Sequence, residues 1–265
     1  MDAYLDQLES QSIYVLREAY NGIHPLAMLW SMGKDSTALL WLARKAFYGR
    51  VPFPLILLDT GMEMPEVYEF RDRLAREWNL PVMNETCPPE SDMDPALPPA
   101  TRAAMRKTEG LKNVLRREGY KGIISGIRRD EQPLRAKERV FSPRALDGGW
   151  DFREQPAEFW DHYTYTAPEG AHIRVHPLLD WTELDVWRYT RREKIPCVPL
   201  YFARDGKRYR SLGEKNITFP VDSQAASLDD IIAELERTKA SERAGRAMDH
   251  ESEDSFEILR TRGYM

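Results

Sequence analysis

Six consecutive residues combine hydroxyl, amino and carboxylate groups around a glycine, directly after an apolar run. If a helix begins within this segment, its free backbone N–H groups face a bound anion, and the lysine and the two hydroxyls add further donors. Phosphate is the ligand best suited to such an array. The pattern predicts a phosphate-binding loop, with Lys34 as a catalytic cation, formed by Ser31, Met32, Gly33, Lys34, Asp35 and Ser36.

This loop is not a Walker A sequence, because Asp35 separates Lys34 from Ser36. A different phosphate chemistry is therefore indicated. The alternative is an ordinary strand-to-helix turn capped by Ser31 or Asp35. Met32 bears on the choice between a phosphate loop and an ordinary capped turn. Methionine fits the loop easily if the backbone φ at this position is negative, but it is strained if the position needs the left-handed region that favours glycine.

A second segment concentrates positive charge after another apolar strand, at residues 126–139. Guanidinium groups bind oxyanions through two parallel hydrogen bonds. If the segment leaves the same sheet edge as the phosphate loop, the two would form one cleft for a polyphosphate and a second anion. The alternative is a solvated mixed-charge helix in which acidic neighbours pair with the arginines. The candidate catalytic residues here are Arg128, Arg129 and Arg135.

A third candidate lies at the end of the next predicted strand, where Asp59, Thr60 and Gly61 follow four apolar residues. Ligands of open α/β sheets bind beyond the carboxyl ends of the strands. Asp59 is therefore a candidate for binding the ribose or magnesium, and Asp35 is the other candidate magnesium ligand. The alternative for Asp59 is to cap its own turn, a common role for aspartate beside glycine.

Hydrophobic periodicity indicates the elements that position these residues. Strands are predicted at residues 26–30, 53–58, 80–85 and 172–175, and residues 119–125 turn into a further strand. Helices are predicted at 2–20, 37–47, 65–78, 102–118, 182–194, 227–238 and 252–262. Their alternation predicts an α/β fold, a doubly wound, mostly parallel sheet with helices on both faces. Residues 126–171 read as a long functional loop. We predict a nucleotide-binding domain at residues 1–200 and a helical C-terminal extension packed on it at 201–265.

Composition excludes several classes of protein. Thirty-eight basic and 43 acidic residues give a net charge of −5, so we expect no nucleic-acid partner. The first ten residues are polar and no apolar run could span a membrane, which predicts a cytoplasmic protein. Cys87 and Cys197 form no CxxC pair, and His172 and His176 are expected in the core. The sequence does not define the oligomeric state, and a homo-oligomer is compatible with it.

Long motifs resemble the small catalytic subunits of bacterial two-subunit sulfate adenylyltransferases, within the ATP α-hydrolase (PP-loop) superfamily. They include SMGKDS, RRDEQPLRAKERVFSPR, IRVHPLLDWTELDVWRY, SERAGRAMD and the terminal RGYM. The resemblance covers nearly the whole chain. It implies ATP and Mg²⁺ as cofactors, sulfate as acceptor, transfer of AMP with release of pyrophosphate, and a GTPase subunit as partner.

The related phosphoadenylylsulfate reductases need a C-terminal cysteine, and no cysteine follows Cys197. The chain also departs from the adenylyltransferase pattern: the stretch between Tyr201 and Ser211 is shorter, and Gly213-Glu214 and Phe219-Pro220 replace expected Gly-Cys and Thr-Gly elements. Three questions therefore stay open at this point. They are the use of the GTPase subunit, an acceptor other than sulfate in sulfur metabolism, and a nucleotide-binding regulatory subunit without turnover.

Overall fold

A computed structural model describes residues 2–145, 149–238 and 242. Its helices are α1 (Asp2–Gly22), α2 (Lys34–Ala46), α3 (Pro65–Glu77), α4 (Pro99–Glu118), α5 (Glu183–Glu193) and α6 (Leu228–Leu235). Its strands are β1 (Leu26–Leu29), β2 (Leu55–Asp59), β3 (Val82–Thr86), β4 (Gly122–Ile124), β5 (Phe141–Arg144), β6 (His172–Val175), β7 (Lys207–Arg208) and β8 (Val221–Asp222).

The central sheet has six strands in the order β3-β2-β1-β4-β6-β5. All neighbours are parallel except β5 and β6, which are antiparallel with Arg144 opposite His172. The strand order reverses direction on either side of β1, which lies between β2 and β4. The predicted doubly wound, mostly parallel sheet is confirmed, and its β1 end is the crevice where such sheets bind ligands.

The inner strands carry apolar side chains on both faces of the sheet, and helices cover both of these faces. Leu26 and Met28 of β1 belong to the larger apolar core, whereas Ala27 between them packs in a second cluster with Ile56 and Ile123. This alternation follows from the two-residue period of a strand. Burial on both faces holds β1, and the loop that follows it, in a fixed position.

Most predicted elements are present with small shifts at their ends. Helix α5 begins after Thr182, whose side chain and Asp185 form a capping box, as the helix-start pattern predicts. Helix α4 begins at Pro99, three residues before its predicted start. The prediction of an irregular 126–171 segment was wrong in one part, since β5 lies within it. A short strand that contains Pro143 and pairs only at the sheet edge carries little sequence signal.

The described part of the C-terminal region is less helical than predicted, because β7 and β8 form an antiparallel pair before α6. Ser227 caps α6, and Ile231 and Ile232 are buried in the larger core. Ion pairs from Arg188 and Arg191 also join α5 to α6. The boundary at residue 200 remains a prediction, and the helix predicted at 252–262 lies outside the described residues.

Among the described residues, no helix has the length and hydropathy needed to cross a membrane.

Candidate active site

The phosphate loop occupies the turn between β1 and α2, and the first residue of α2 is Lys34. Gly33 is the N-cap and makes no side-chain cap hydrogen bond, so the simple capped-turn alternative is wrong for this helix. Instead, the Lys34 backbone N–H donates to the hydroxyl of Tyr201 at 2.8 Å. One loop amide is therefore already partnered, from a residue 167 positions away. A hydroxyl that accepts from a helix N-terminus satisfies one of its free donors.

Hydroxyls on either side of this amide are also ordered by the loop itself. Ser31 Oγ lies 3.2 Å from Ser36 Oγ, and Ser36 Oγ donates to the Gly33 carbonyl at 3.1 Å. Both side chains are thus held at the mouth of the helix N-terminus, where they can turn their protons toward a bound anion.

Met32 has the left-handed backbone conformation, with φ of 60°. This is the strained case for a residue that carries a Cβ. Its side chain is 1% exposed and packs in the larger apolar core. The strain is thus offset by burial, which a glycine at this position would not supply.

The β4 end of the sheet lies directly beneath the loop. A Cβ placed on Gly126 would come within 3.3 Å of the Asp35 carbonyl carbon and the Ser36 nitrogen. Such a distance leaves little room for any side chain. The absence of a Cβ therefore lets the arginine-rich segment start in contact with the phosphate loop, on the strand that neighbours β1.

Lys34 and Arg128 are the two cations at the loop, and both are buried. Lys34 Nζ contacts Asp35 Oδ2 at 3.0 Å and also contacts Glu242 Oε1. Arg128 Nη1 contacts Asp35 Oδ1, and Arg128 Nη2 contacts Glu242 Oε2. Asp35 and Glu242 therefore each bridge the same two cations. Charges this deeply buried are stable only when paired in this way.

Asp130 fixes the remaining nitrogen of Arg128. Its Oδ1 accepts from Arg128 Nε at 2.8 Å, and its Oδ2 accepts from the backbone N–H of Glu183 at 2.7 Å. The first turn of α5 thus orients the guanidinium through Asp130. Burial opposes the charge on Arg128, but Glu242, Asp130 and Glu131 outweigh it and raise the pKa of Arg128 above its ordinary value.

The other two predicted arginines point to different partners. Arg129 pairs with Asp180 and donates from Nη2 to the Glu138 carbonyl at 3.3 Å. Burial lowers the pKa of Arg129, with only partial compensation from neighbouring carboxylates. Arg135 pairs with Glu131. The structure therefore brings Arg128 alone of the three into direct contact with the loop, and part of the mixed-charge alternative is present in the Glu131 pair.

The end of β2 is organised by local hydrogen bonds. Asp59 Oδ1 accepts from the Gly61 N–H at 2.8 Å and from the Tyr68 hydroxyl at 2.7 Å. Buried Arg106 donates to the Thr60 carbonyl at 2.7 Å. Asp59 thus performs its alternative role as a turn cap. These hydrogen bonds from described residues reach only Oδ1, so Oδ2 is available to a further ligand.

The two predicted magnesium ligands differ in availability. Both oxygens of Asp35 are in ion pairs, whereas Asp59 has one that is not. Among the described residues, no group of three His, Cys, Asp or Glu side chains could enclose a metal ion. Magnesium bound to a nucleotide commonly takes only one or two protein carboxylates, with phosphates and water completing its shell. The residues present fit that mode, with Asp59 as the better-placed ligand.

Cysteines and histidines near the sheet are not reactive groups. Burial raises the pKa of Cys87 to about 12 and of Cys197 to about 11, so both stay protonated thiols near neutral pH. Burial lowers the pKa of His172 and His176 to about 3, which keeps both rings neutral. These values fit the core histidines that the sequence indicated.

Sequence reasoning missed Tyr201, Asp130 and Glu242 as parts of this site. Tyr201 and Glu242 lie 167 and 208 positions from Lys34, beyond any local pattern. The only available signal for Glu242 was its place in the SERAGR motif. The structure therefore adds one hydroxyl and two carboxylates to the residues that the motifs indicated.

Comparisons with known proteins identify the family to which this chain belongs. Residues 25–220 match the phosphoadenosine phosphosulfate reductase domain. The matched region begins just before β1 and includes the phosphate loop, the end of β2 and the arginine-rich segment. These features define the class as an adenine-nucleotide-binding α/β domain.

Full-length relatives narrow the class. Sulfate adenylyltransferase subunit 2 of Allorhizobium ampelinum is 40% identical over 298 positions, covering 100% of this chain and 94% of the relative. That of Ectopseudomonas mendocina is 39% identical and covers 98% of each chain. The chain belongs to the family of sulfate adenylyltransferase subunit 2. The alignments are longer than the 265 residues of this chain, so the relatives contain additional residues.

Solved structures support the fold independently of sequence. FMN adenylyltransferase of Candida glabrata in complex with FAD and pyrophosphate superposes with a TM-score of 0.61 at 16% identity, covering 92% of this chain and 88% of that one. Phosphoadenylyl-sulfate reductase of Candida auris gives a TM-score of 0.54 at 17% identity, covering 82% and 96%. At these identities the similarity shows a shared fold.

Proposed function

We propose that this chain transfers AMP from ATP to sulfate, forming adenylylsulfate and releasing pyrophosphate. The observation that carries the proposal is the loop at the N-terminus of α2, where the N-cap makes no side-chain hydrogen bond and the cations Lys34 and Arg128 both contact Asp35. The full-length relatives are named for the same activity. Cleavage between the α and β phosphates needs an anion site for the departing pyrophosphate, and this loop supplies one.

In this mechanism the loop binds the β and γ phosphates. The amides and hydroxyls of residues 31–36 hold phosphate oxygens, and Lys34 and Arg128 stabilise the charge that builds on pyrophosphate as it leaves. Sulfate attacks the α phosphorus directly, so no side chain becomes a covalent nucleophile. Catalysis then depends on positioning and electrostatics, as in other phosphoryl-transfer enzymes.

The acceptor half of the site is assigned to the remaining arginines. Arg129 and Arg135 lie in the same segment as Arg128, and each guanidinium already binds one carboxylate, which supports a role in binding an oxyanion such as sulfate. Arg129 is half-exposed and its pairing with Asp180 is at the surface, so an incoming anion can exchange with that carboxylate. Arg128 would then touch phosphate while Arg129 and Arg135 orient sulfate.

Magnesium would be held by Asp59, with Asp35 as the second candidate. When bound, the ion would offset negative charge on the phosphates. The strand end keeps Asp59 in place through its contacts with Gly61 and Tyr68, so the carboxylate would meet the ion without reorganising.

A partner subunit follows from the same proposal. Relatives are named subunit 2, which implies another subunit in their assemblies. Formation of adenylylsulfate is uphill, and we propose a GTPase as the partner that supplies the driving force.

Acceptor-dependent release of pyrophosphate tests the function. The purified chain, with MgATP and pyrophosphatase to draw the reaction forward, should release pyrophosphate with sulfate above the rate without acceptor. A panel of other oxyanions and carboxylates run in parallel identifies a different acceptor. Tight ATP binding with no pyrophosphate release under any acceptor would instead identify a regulatory subunit.

A further inference from the structure

Glu242 is held in the phosphate loop although it follows the main fold in sequence. Its side chain is buried, one carboxylate oxygen contacts Lys34 Nζ and the other contacts Arg128 Nη2. These are the two cations that the proposed mechanism assigns to pyrophosphate. Carboxylate and phosphate oxygens are both anionic acceptors for ammonium and guanidinium groups, so Glu242 occupies these two cations as phosphate oxygens would.

The charge at the loop is unfavourable for a second anion while this contact exists. Among the described residues, two cations, Lys34 and Arg128, face three carboxylates, Asp35, Asp130 and Glu242. Burial opposes ionisation of Glu242, but Lys34 and Arg128 outweigh it and lower the pKa of its carboxyl, so the group is an anion. A polyphosphate brought to this loop would meet excess negative charge in a region of low dielectric.

A short tether keeps Glu242 close to the site. Its carboxylate lies four positions after Thr238 and seven after Leu235, the end of α6. Helix α6 is anchored on α5 through buried Ile231 and Ile232 and the Arg188–Glu236 pair. Four residues reach at most about 14 Å, so Glu242 cannot move far from the end of the described C-terminal segment.

We propose that Glu242 is an internal competitor for the phosphate loop, a carboxylate that must leave Lys34 and Arg128 before the pyrophosphate part of a nucleotide can bind there. The inference rests on the proposed function for the role of the loop. Its direct consequence is that Glu242 weakens the affinity of the wild-type chain for pyrophosphate and ATP.

Calorimetric titration with inorganic pyrophosphate tests this in the full-length chain. Glu242→Gln keeps the size of the side chain and removes its charge. We expect it to bind pyrophosphate about tenfold more tightly than wild type does. This is the change expected if the fraction of molecules with a vacant loop rises from about a tenth to nearly all. Glu236→Gln is the matched control, since Glu236 pairs with Arg188 away from the loop. Its affinity should equal that of wild type.

Unchanged or weaker binding by Glu242→Gln would overturn the inference and make Glu242 a support or a ligand contact. If circular dichroism shows that this variant does not fold, Glu242→Asp replaces it. Its shorter side chain should compete less well for Lys34 and Arg128, so the affinity for pyrophosphate should rise about two- to threefold. No increase in affinity would count against the inference. Failure of the proposed function is separate. If Glu242→Gln binds pyrophosphate more tightly but no acceptor supports turnover, the role of Glu242 as a competitor is supported and the proposed transferase activity is contradicted.

Discussion

The ends of β1 and β2 lie side by side at one sheet edge, yet they are stabilised in different ways. After β2, Asp59 accepts hydrogen bonds from the nearby Gly61 and Tyr68, and Arg106 is the distant residue that donates to the Thr60 carbonyl. After β1, the loop depends on Tyr201, Arg128 and Glu242, none of which is near it in sequence. The β2 end is thus a turn that would form in many proteins, whereas the β1 end is a charged site assembled by the whole domain.

The largest effect should come from the β1 end. Lys34→Ala should lower the rate of ATP–pyrophosphate exchange by roughly 10²- to 10³-fold, the usual loss when one preorganised charge-stabilising donor is removed. Lys45→Ala is the control, because Lys45 lies at the other end of the same helix and pairs with Glu9 and Glu193. Equal rates for the two variants would refute the role of Lys34.

Substitutions at two neighbouring arginines test the proposed nucleotide and acceptor parts of the site separately. Arg128→Lys keeps the charge but loses the forked geometry that contacts Asp35, Asp130 and Glu242, so we expect exchange to fall by about 10- to 100-fold through a weaker ATP complex. Arg129→Lys should mainly raise the KM for sulfate. Steady-state kinetics with each substrate varied in turn measures both, and the same pattern for both variants would contradict the division.

At the β2 end, Asp59→Asn distinguishes a turn cap from a magnesium ligand. The amide oxygen can still accept from Gly61 and Tyr68, so the free energy of unfolding should change by less than about 0.5 kcal/mol. Loss of the charge should lower exchange about tenfold and raise the magnesium concentration needed for half-maximal rate. Urea unfolding and a magnesium titration give the two values. If the kinetics do not change, Asp59 caps its turn and does not bind magnesium.

The smallest effect concerns Tyr201, the distant residue that serves the β1 end. Tyr201→Phe leaves the Lys34 N–H without its acceptor, which should reduce the free energy of unfolding by about 1–3 kcal/mol. Pyrophosphate can accept from the same N–H, so saturating pyrophosphate should shrink this loss. Urea unfolding with and without the ligand measures it, and an equal loss in both conditions would show that the amide does not face the ligand.

Sequence predicted what depends on local pattern. The apolar run before Ser31, the glycine and the helical spacing after it were enough to locate the turn between β1 and α2, and Thr182 and Asp185 were enough to start α5. The left-handed backbone of Met32 could not be predicted, because the core that surrounds its side chain decides it.

Contacts over long separations were equally beyond local pattern. Nothing near Glu242 or Tyr201 specifies that they contact Lys34, since the folded sheet and α5 bring them together. Strand β5 was missed for a related reason: four residues that include Pro143 form a strand only because β6 offers a partner. Pairing partners, unlike periodicity, are a property of the fold.

The close approach at Gly126 has a mechanical consequence. Because Gly126 packs closely against the start of α2, the segment that carries the arginines cannot move toward α2 without displacing the backbone of Asp35 and Ser36. The phosphate loop is therefore coupled mechanically to the start of the segment that the proposed mechanism assigns to the acceptor. A displacement of this shared backbone should change the kinetic constants for both substrates, whereas a side-chain substitution at Arg129 leaves the backbone contact in place.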